Sequence, residues 1–240
     1  MKAPIVTVYT NDKNLWLLKG FQHLFKKYWS PSQKVRVVGY TQPKNGTLEE
    51  NFYFVSIDSR NYPVNDWSTG VMRSLEMFRE DGEEFIIFML EDYWLMEPVD
   101  VVAIKTLTEY MQNQPRNILR MDLTSDRCQH RSKHSLGTSK IGDCELVRTS
   151  ADSPYQMSFQ AGIWNIELLL EVLRPYESPW QSEIVGSKRL AGLGNNRYLV
   201  YGTRNCPVRY QPVYRTNRAS IDISKLAEED QKYILKRGWM

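Results

Sequence analysis

Two adjacent carboxylates, Glu91 and Asp92, stand directly after six apolar residues, Phe85 to Leu90, in the stretch EEFIIFMLEDYWLMEPVD. An uninterrupted apolar run of that length reads as a strand covered on both faces. Open α/β sheets bind ligands beyond the carboxyl ends of their strands, which places the pair at the floor of a cleft. Two neighbouring carboxylates there suit a hard cation, Mg²⁺ or Mn²⁺, that in turn holds the phosphates of a nucleotide. The structural alternative is a pair of acids capping the turn before the next helix. Farther on, Cys128-x-His130-x3-His134 invites a zinc reading, but the segment is polar, lacks a helical stripe and offers one thiol. It reads better as a cover over the site, where Arg127, Arg131 or Lys133 could touch phosphate.

Charge and composition narrow the partners. A net charge of +3 is too small to name one, but its distribution is uneven. Residues 203–220 carry four arginines (Arg204, Arg209, Arg215, Arg218) and no acid. Residues 116–140 set six Lys/Arg against Asp122 and Asp126. Such zones meet phosphate, whether of a nucleotide or of a nucleic acid, or form a solvated basic face. The 7 Trp and 14 Tyr favour a site that stacks rings or sugars, although aromatics also fill cores. Three cysteines at unrelated spacings imply no disulfide framework. The opening MKAPIVTVYTND has too short an apolar run for a signal peptide, and no segment reaches membrane-span length, so a cytoplasmic protein is expected. No Gly-x4-Gly-Lys loop or Gly-x-Ser-x-Gly elbow occurs, which argues against P-loop kinases and α/β-hydrolases.

The elements that must position these residues alternate. Strands are expected over 4–10, 34–40, 51–58, 85–90 and 117–123. Helices are expected from Leu15 to Trp29, Trp67 to Arg79 and Pro98 to Asn113. Asn11-Asp12 is a plausible cap for the first of them. β-α-β alternation points to a mostly parallel sheet with helices on both faces. Residues 124–154 read as loops and a short hairpin, 155–165 as strand then turn. The helices IELLLEVLR, about 182–193 and a capped helix in the tail follow. Cys206, before Pro207, reads as a buried residue of a strand. Without repeats, low-complexity tracts or a linker, one domain over 1–240 is expected.

A hydrophobic strand ending in a short acidic motif, early in an α/β chain, resembles the GT-A-fold glycosyltransferases of bacterial and phage type. The resemblance extends to SFQAGIWNIELLLEVLRPYESPWQSEIVGSKR (158–189), with its Gln-Ala-x-x-Trp strand, Ser-Pro-Trp turn and acid-bearing helix. It implies a GT-A-like, Rossmann-like, mostly parallel sheet, with 1–123 as the nucleotide-sugar half and 124–240 as the acceptor half. In that family the acidic motif holds metal and nucleotide-sugar diphosphate. Asp92 would then be the metal ligand and Glu91 its helper, although Tyr93 stands where a strict Asp-x-Asp has its second acid. Thr7, Tyr9 and Thr10 occupy the place of the base cradle, and Asp58 that of the acid touching base or ribose. Glu183, in the first turn of its helix, is the implied catalytic base of an inverting transfer, with Glu177 as fallback. As a plain structural acid it would be favoured there by the helix dipole. Trp164 and Trp180 could stack on a sugar, Gln160 could reach sugar hydroxyls, and Arg209 could bind substrate.

The expected activity is therefore transfer of a sugar from a nucleotide-diphosphate donor, a UDP-sugar first, with Mg²⁺ or Mn²⁺. The acceptor is a glycan or small molecule, or DNA with a hydroxymethylated base that must be flipped out to react. A non-catalytic nucleic-acid-binding module and a nucleotidyltransferase are the rival readings. No obligatory protein partner is indicated.

Overall fold

In the computed structural model, which describes residues 3–57, 66–114, 117–130, 134–215, 218–219 and 221–239, alternation of apolar residues builds one large sheet. The first half supplies β1 (Ile5–Tyr9), α1 (Leu18–Tyr28), β2 (Val35–Gly39), β3 (Phe52–Ser56), α2 (Trp67–Glu80), β4 (Phe85–Leu90), β5 (Tyr93–Leu95), α3 (Val101–Asn113) and β6 (Ile118–Asp122). The second supplies β7 (Ser135–Ile141), β8 (Cys144–Thr149), β9 (Gly162–Asn165), α4 (Ile166–Val172), α5 (Pro179–Leu193), β10 (Leu199–Thr203) and β11 (Tyr210–Pro212). The short pair β12 (Tyr214–Arg215) and β13 (Arg218–Ala219) and the helix α6 (Glu228–Lys236) complete the described chain.

The nine-stranded sheet runs β3-β2-β1-β4-β9-β6-β10-β8-β7. β3, β2, β1 and β4 are parallel neighbours, and so are β6 and β10. β9 and β8 run against all the others. This is the α/β class with a mostly parallel central sheet flanked by helices. Both halves of the sequence contribute, since β9 from the second half lies between β4 and β6 from the first.

Strand alternation gives each face its own core. Phe85, Ile87 and Met89 face Phe21 and Phe25 of α1 and Leu107 of α3 in one apolar cluster. Ile86 and Phe88 join Leu75 of α2, Leu169 of α4 and Leu190 of α5 in the other. Gly20 is required where α1 crosses Trp94: a Cβ there would lie 2.1 Å from the indole. That close approach clamps β5 beneath α1.

The structure corrects several expected boundaries. The helix expected from Pro98 begins at Val101, because Asp100 is the residue whose carboxylate accepts from the Ala103 N–H (2.9 Å). Asp12 caps nothing; it accepts from the backbone and hydroxyl of Thr41. The expected hairpin within 124–154 is present as β7–β8, and what the sequence did not show is that it forms the margin of the main sheet. Cys206 lies in a turn at φ 46°, half-buried, rather than in a strand. Among the described residues no helix is long and apolar enough to cross a membrane.

Candidate functional site

The carboxyl ends of β1, β4, β6 and β10 lie at one edge of the sheet, and the chain enters β9 from the same edge. At the end of β4 the chain turns through Glu91 and Asp92 into β5. There the ribbon of β5 and β11 fixes the turn: Tyr93 pairs with Pro212, and the Asp92 carbonyl accepts from the Val213 N–H (2.7 Å). The two acids differ in surroundings. Glu91 is buried, with hydrogen bonds from Asn14 and Thr10, and burial together with the Asp92 charge pushes its carboxyl up to about 8. Asp92 is half-buried and is the member of the pair that solvent reaches.

Gln160 is the connecting residue of this edge. Its side-chain Nε2 donates to the Tyr93 hydroxyl (2.8 Å), and its side-chain Oε1 accepts from the Tyr210 hydroxyl. The Tyr210 oxygen also accepts from the Ala161 N–H (2.9 Å), and the two tyrosine rings pack at 4.7 Å. Burial raises the Tyr210 hydroxyl well above its ordinary range, so it stays protonated and can donate. One residue earlier, the Phe159 N–H donates to Glu183 Oε1 (2.8 Å). Two positions before that, the Met157 N–H donates to Ser187 Oγ (3.1 Å). Residues 157 and 159 thus dock on positions one helical turn apart, 187 and 183 respectively, on α5. Glu183 therefore sits in the second turn of α5, not the first. The helix starts at Pro179 behind a Ser178–Gln181 capping box, so the dipole at its first turn does not account for the acid.

Behind the edge lies a buried ionic floor. Arg120 and Asp122 are both fully buried and paired at 2.9 Å, with the Arg120 guanidinium over the Trp164 ring at 5.2 Å. Arg120 also donates to the Gln160 carbonyl (3.4 Å). Gly162 leaves room for it, because a Cβ there would stand 3.1 Å from Arg120 Nε. Asp122 accepts further bonds from Thr124 Oγ1 (3.0 Å) and the Arg127 N–H (3.1 Å). Burial raises its carboxyl against the pull of Arg120. Above this floor opens a cleft of about 540 Å³ whose lining includes Tyr93, Asp126, Gln160, Arg204, Arg209 and Tyr210.

The expected site residues divide accordingly. Gln160 is bonded to Tyr93, the neighbour of Asp92, and follows Phe159, whose N–H holds Glu183; Gln160 and Arg209 line the cleft, and Thr10 touches Glu91 from the end of β1. Glu91 turns inward and cannot serve as a second outward ligand. Thr7 is fully buried in mid-strand, and Tyr9 is stacked on Phe88 at 4.2 Å with its hydroxyl on Ser74 (2.9 Å). Neither can cradle a base. Trp164 is likewise closed to a sugar, its ring covered by Arg120 and by Phe159 at 5.7 Å. Trp180, by contrast, is 71% exposed at the start of α5. Arg209 is not an unpaired cation, since it meets Glu97 at 3.0 Å. Arg127 is fully buried and forks onto Asp126 (2.7 and 3.1 Å), which removes it as a phosphate contact. Glu177 is taken by Arg189 (Nη2–Oε2 3.0 Å) and Ser182 (3.1 Å), so it is no fallback base. Asp58, Arg131 and Lys133 lie outside the described residues, as do the side chains of His130, Arg215 and Arg218.

Sequence reasoning missed Tyr93, Asp122, Arg120, Asp126 and Tyr210 as parts of this site. The available signal was Arg120-x-Asp122 at the end of an apolar strand, a charged pair on one face of an element that otherwise reads as core.

Metal fit is selective. Among the described residues no group of three or more His, Cys, Asp and Glu side chains is placed to hold a metal ion. Cys128 is buried, which pushes its thiol up to about 12. Mg²⁺ is commonly held by one or two carboxylates plus substrate phosphates rather than by an all-protein cage. A single solvent-reaching acid, Asp92, is compatible with that mode.

No protein-family model matches the chain, and no curated protein does. Among solved structures the chain is similar to TarS of S. aureus, residues 1–349, at 13% identity and a TM-score of 0.43, over 84% of this chain and 60% of that one. It is similar to the galactosyltransferase LgtC in complex with donor and acceptor sugar analogs, at 9% identity and a TM-score of 0.37, over 81% and 66%. It is similar as well to the bifunctional glycosyltransferase WbbM, at 13% identity and a TM-score of 0.37, over 70% and 32%. The chain thus spans between about a third and two-thirds of the length of these structures.

Proposed function

We propose that the chain is a glycosyltransferase that takes a sugar from a nucleoside-diphosphate donor, a UDP-sugar first, and passes it to an acceptor hydroxyl with inversion. What supports this reading most is the short path of contacts between two acids of different origin. It runs from Asp92 at the end of β4 through Tyr93, Gln160 and Phe159 to Glu183 on α5. The neighbour of the donor-side acid, Tyr93, and the acceptor-side carboxylate itself are thereby tied to one segment, 159–160, a link of the kind that catalysis by positioning requires.

In this reading Glu183 takes the proton of the acceptor hydroxyl as its oxygen bonds to the anomeric carbon. The bond from that carbon to the diphosphate oxygen breaks, and its electron pair leaves with the diphosphate. Asp92 would hold Mg²⁺ or Mn²⁺, which when bound supplies charge neutralisation for that leaving group. Glu91, anchored by Asn14 and Thr10, keeps the turn in place behind Asp92. Gln160 holds Tyr93 and Tyr210 as the wall against which the sugar rests. Trp180 offers an exposed ring on the helix that carries Glu183.

Thermal stabilisation by UDP with Mn²⁺ tests the donor side: at about 100 times Kd the expected gain is about 2.7 kcal/mol. Glu183→Gln should keep that response while release of UDP from the UDP-sugar falls by about 10²–10⁴-fold. Wild-type turnover in Glu183→Gln removes the proposed base. Folded protein that responds to no nucleoside diphosphate sinks the transferase reading.

A further inference from the structure

Arg204 lines two depressions at once. One is the cleft beside Tyr93, Gln160 and Tyr210; the other, of about 590 Å³, opens on the β7–β8 hairpin and is lined by Thr138, Ser139, Lys140, Asp143, Glu145 and Asn205. The wall between them is fastened to the hairpin. The Arg204 N–H donates to the Glu145 carbonyl (2.9 Å), and its guanidinium pairs with the Glu145 carboxylate at 2.7 Å. Asn205 accepts from the Glu145 N–H (3.0 Å) and donates to the Asp143 carbonyl (3.1 Å).

We infer that these depressions are successive subsites of one groove that binds a neutral oligosaccharide acceptor of several sugars, not a nucleic acid or other polyanion. The inference rests on the transferase reading for its direction: the reacting sugar lies in the inner cleft, next to the segment that holds Glu183, and the rest of the chain runs over Arg204 to the hairpin.

Charge decides the class of ligand. Among the described lining residues the cations are Lys140, Arg204 and Arg209, and the acids are Asp126, Asp143 and Glu145. Arg204 is already paired with Glu145 and Arg209 with Glu97. A phosphate backbone is held by neutralising several phosphates with Lys and Arg, and a groove whose charges cancel provides no such surplus. What remains is a mixture suited to sugar hydroxyls, which both donate and accept. Ser125, Thr138 and Ser139 supply hydroxyls, and the Gln160 side chain retains a second amide N–H. The half-buried Tyr210 ring, packed on Tyr93, offers apolar surface to a sugar's C–H face. Each depression falls within the size of a small-molecule pocket, so together they exceed the needs of one sugar.

The test is binding of the full chain to maltose-series and chitin-series oligosaccharides of increasing length, and to a hydroxymethylcytosine oligodeoxynucleotide, by calorimetry. Affinity should rise about tenfold from disaccharide to tetrasaccharide in one series. Ser139→Trp, which fills the outer depression from an exposed strand position, should abolish that gain at an unchanged melting temperature. No gain with length in either series overturns the inference, and so does tightest binding to the oligonucleotide with steep salt dependence. The UDP and Mn²⁺ response is read separately. If it persists without a length effect, only the oligosaccharide groove is lost; if it is absent, the transferase reading fails.

Discussion

The ends of β4 and β6 stand one strand apart at the same edge, and each carries buried acid, yet the two are built for different ends. At β6, Asp122 is fully enclosed with a cation, Arg120, and its oxygens also accept from Thr124 and the Arg127 backbone. At β4, Glu91 is enclosed among neutral partners, Asn14 and Thr10, and the next residue, Asp92, reaches solvent. The β6 network buries its acid with a cation and holds the loop above it through the Arg127 N–H. The β4 turn encloses one acid and leaves the other half-buried, within reach of solvent. Acidic residues at strand ends therefore need not share a role, and what separates these is whether a cation was buried with them.

The comparison can be broken most sharply at Asp122. Asp122→Ala leaves Arg120 as an unpaired buried charge, and a loss of about 3–5 kcal/mol is expected in denaturant unfolding. Asp92→Ala should cost about 1 kcal/mol or less. Equal losses at the two positions would show that Asp92 is held as tightly as Asp122. The next effect runs the other way: Asp92→Ala should forfeit the Mn²⁺-dependent stabilisation by UDP, about 2.7 kcal/mol at 100 times Kd.

A pH series sharpens the contrast further. The Glu91 carboxyl is raised from 4.5 to about 8 in the folded chain, so the folded state holds a proton that the unfolded state has released between those values. Stability from this group is complete below about 4.5 and is lost as pH rises through about 8. Glu91→Gln should flatten that decline in melting temperature; an unchanged slope would place the titration elsewhere. The smallest effect is expected at the connecting hydrogen bond. A Gln160→Ala and Tyr93→Phe cycle should show a coupling of about 0.5–1.5 kcal/mol, whereas strict additivity would mean that the two ends of the path are independent.

Much of the parallel half was legible in the sequence. Phe85–Leu90 was bounded to the residue because an apolar run with charged flanks has one comfortable place, the centre of a covered sheet. α3 ended at Asn113 as its pattern indicated. The second half was less legible because its pattern is short. β9 has four residues, too few for periodicity to reveal that it runs antiparallel between β4 and β6. Trp164 illustrates the cost: in sequence it is an aromatic beside a proposed site, and in the structure it is the surface on which a buried arginine rests. Arg204 and Arg209 mislead in the same way, since their acidic partners lie 59 and 112 residues away (positions 145 and 97).

The sequence by itself determined the class of the chain, the strand that carries Glu91 and Asp92, and the helix that carries Glu183. Those follow from local periodicity and from the energetic cost of exposing apolar runs, both of which are written in neighbouring residues. Only the tertiary structure decided that Glu91 faces inward and Asp92 outward, that Gln160 links Tyr93 to Tyr210, and that the arginines of the cleft are neutralised. Burial, pairing and proton affinity depend on which distant groups the sheet order brings together, and strand order is a property of the packed whole.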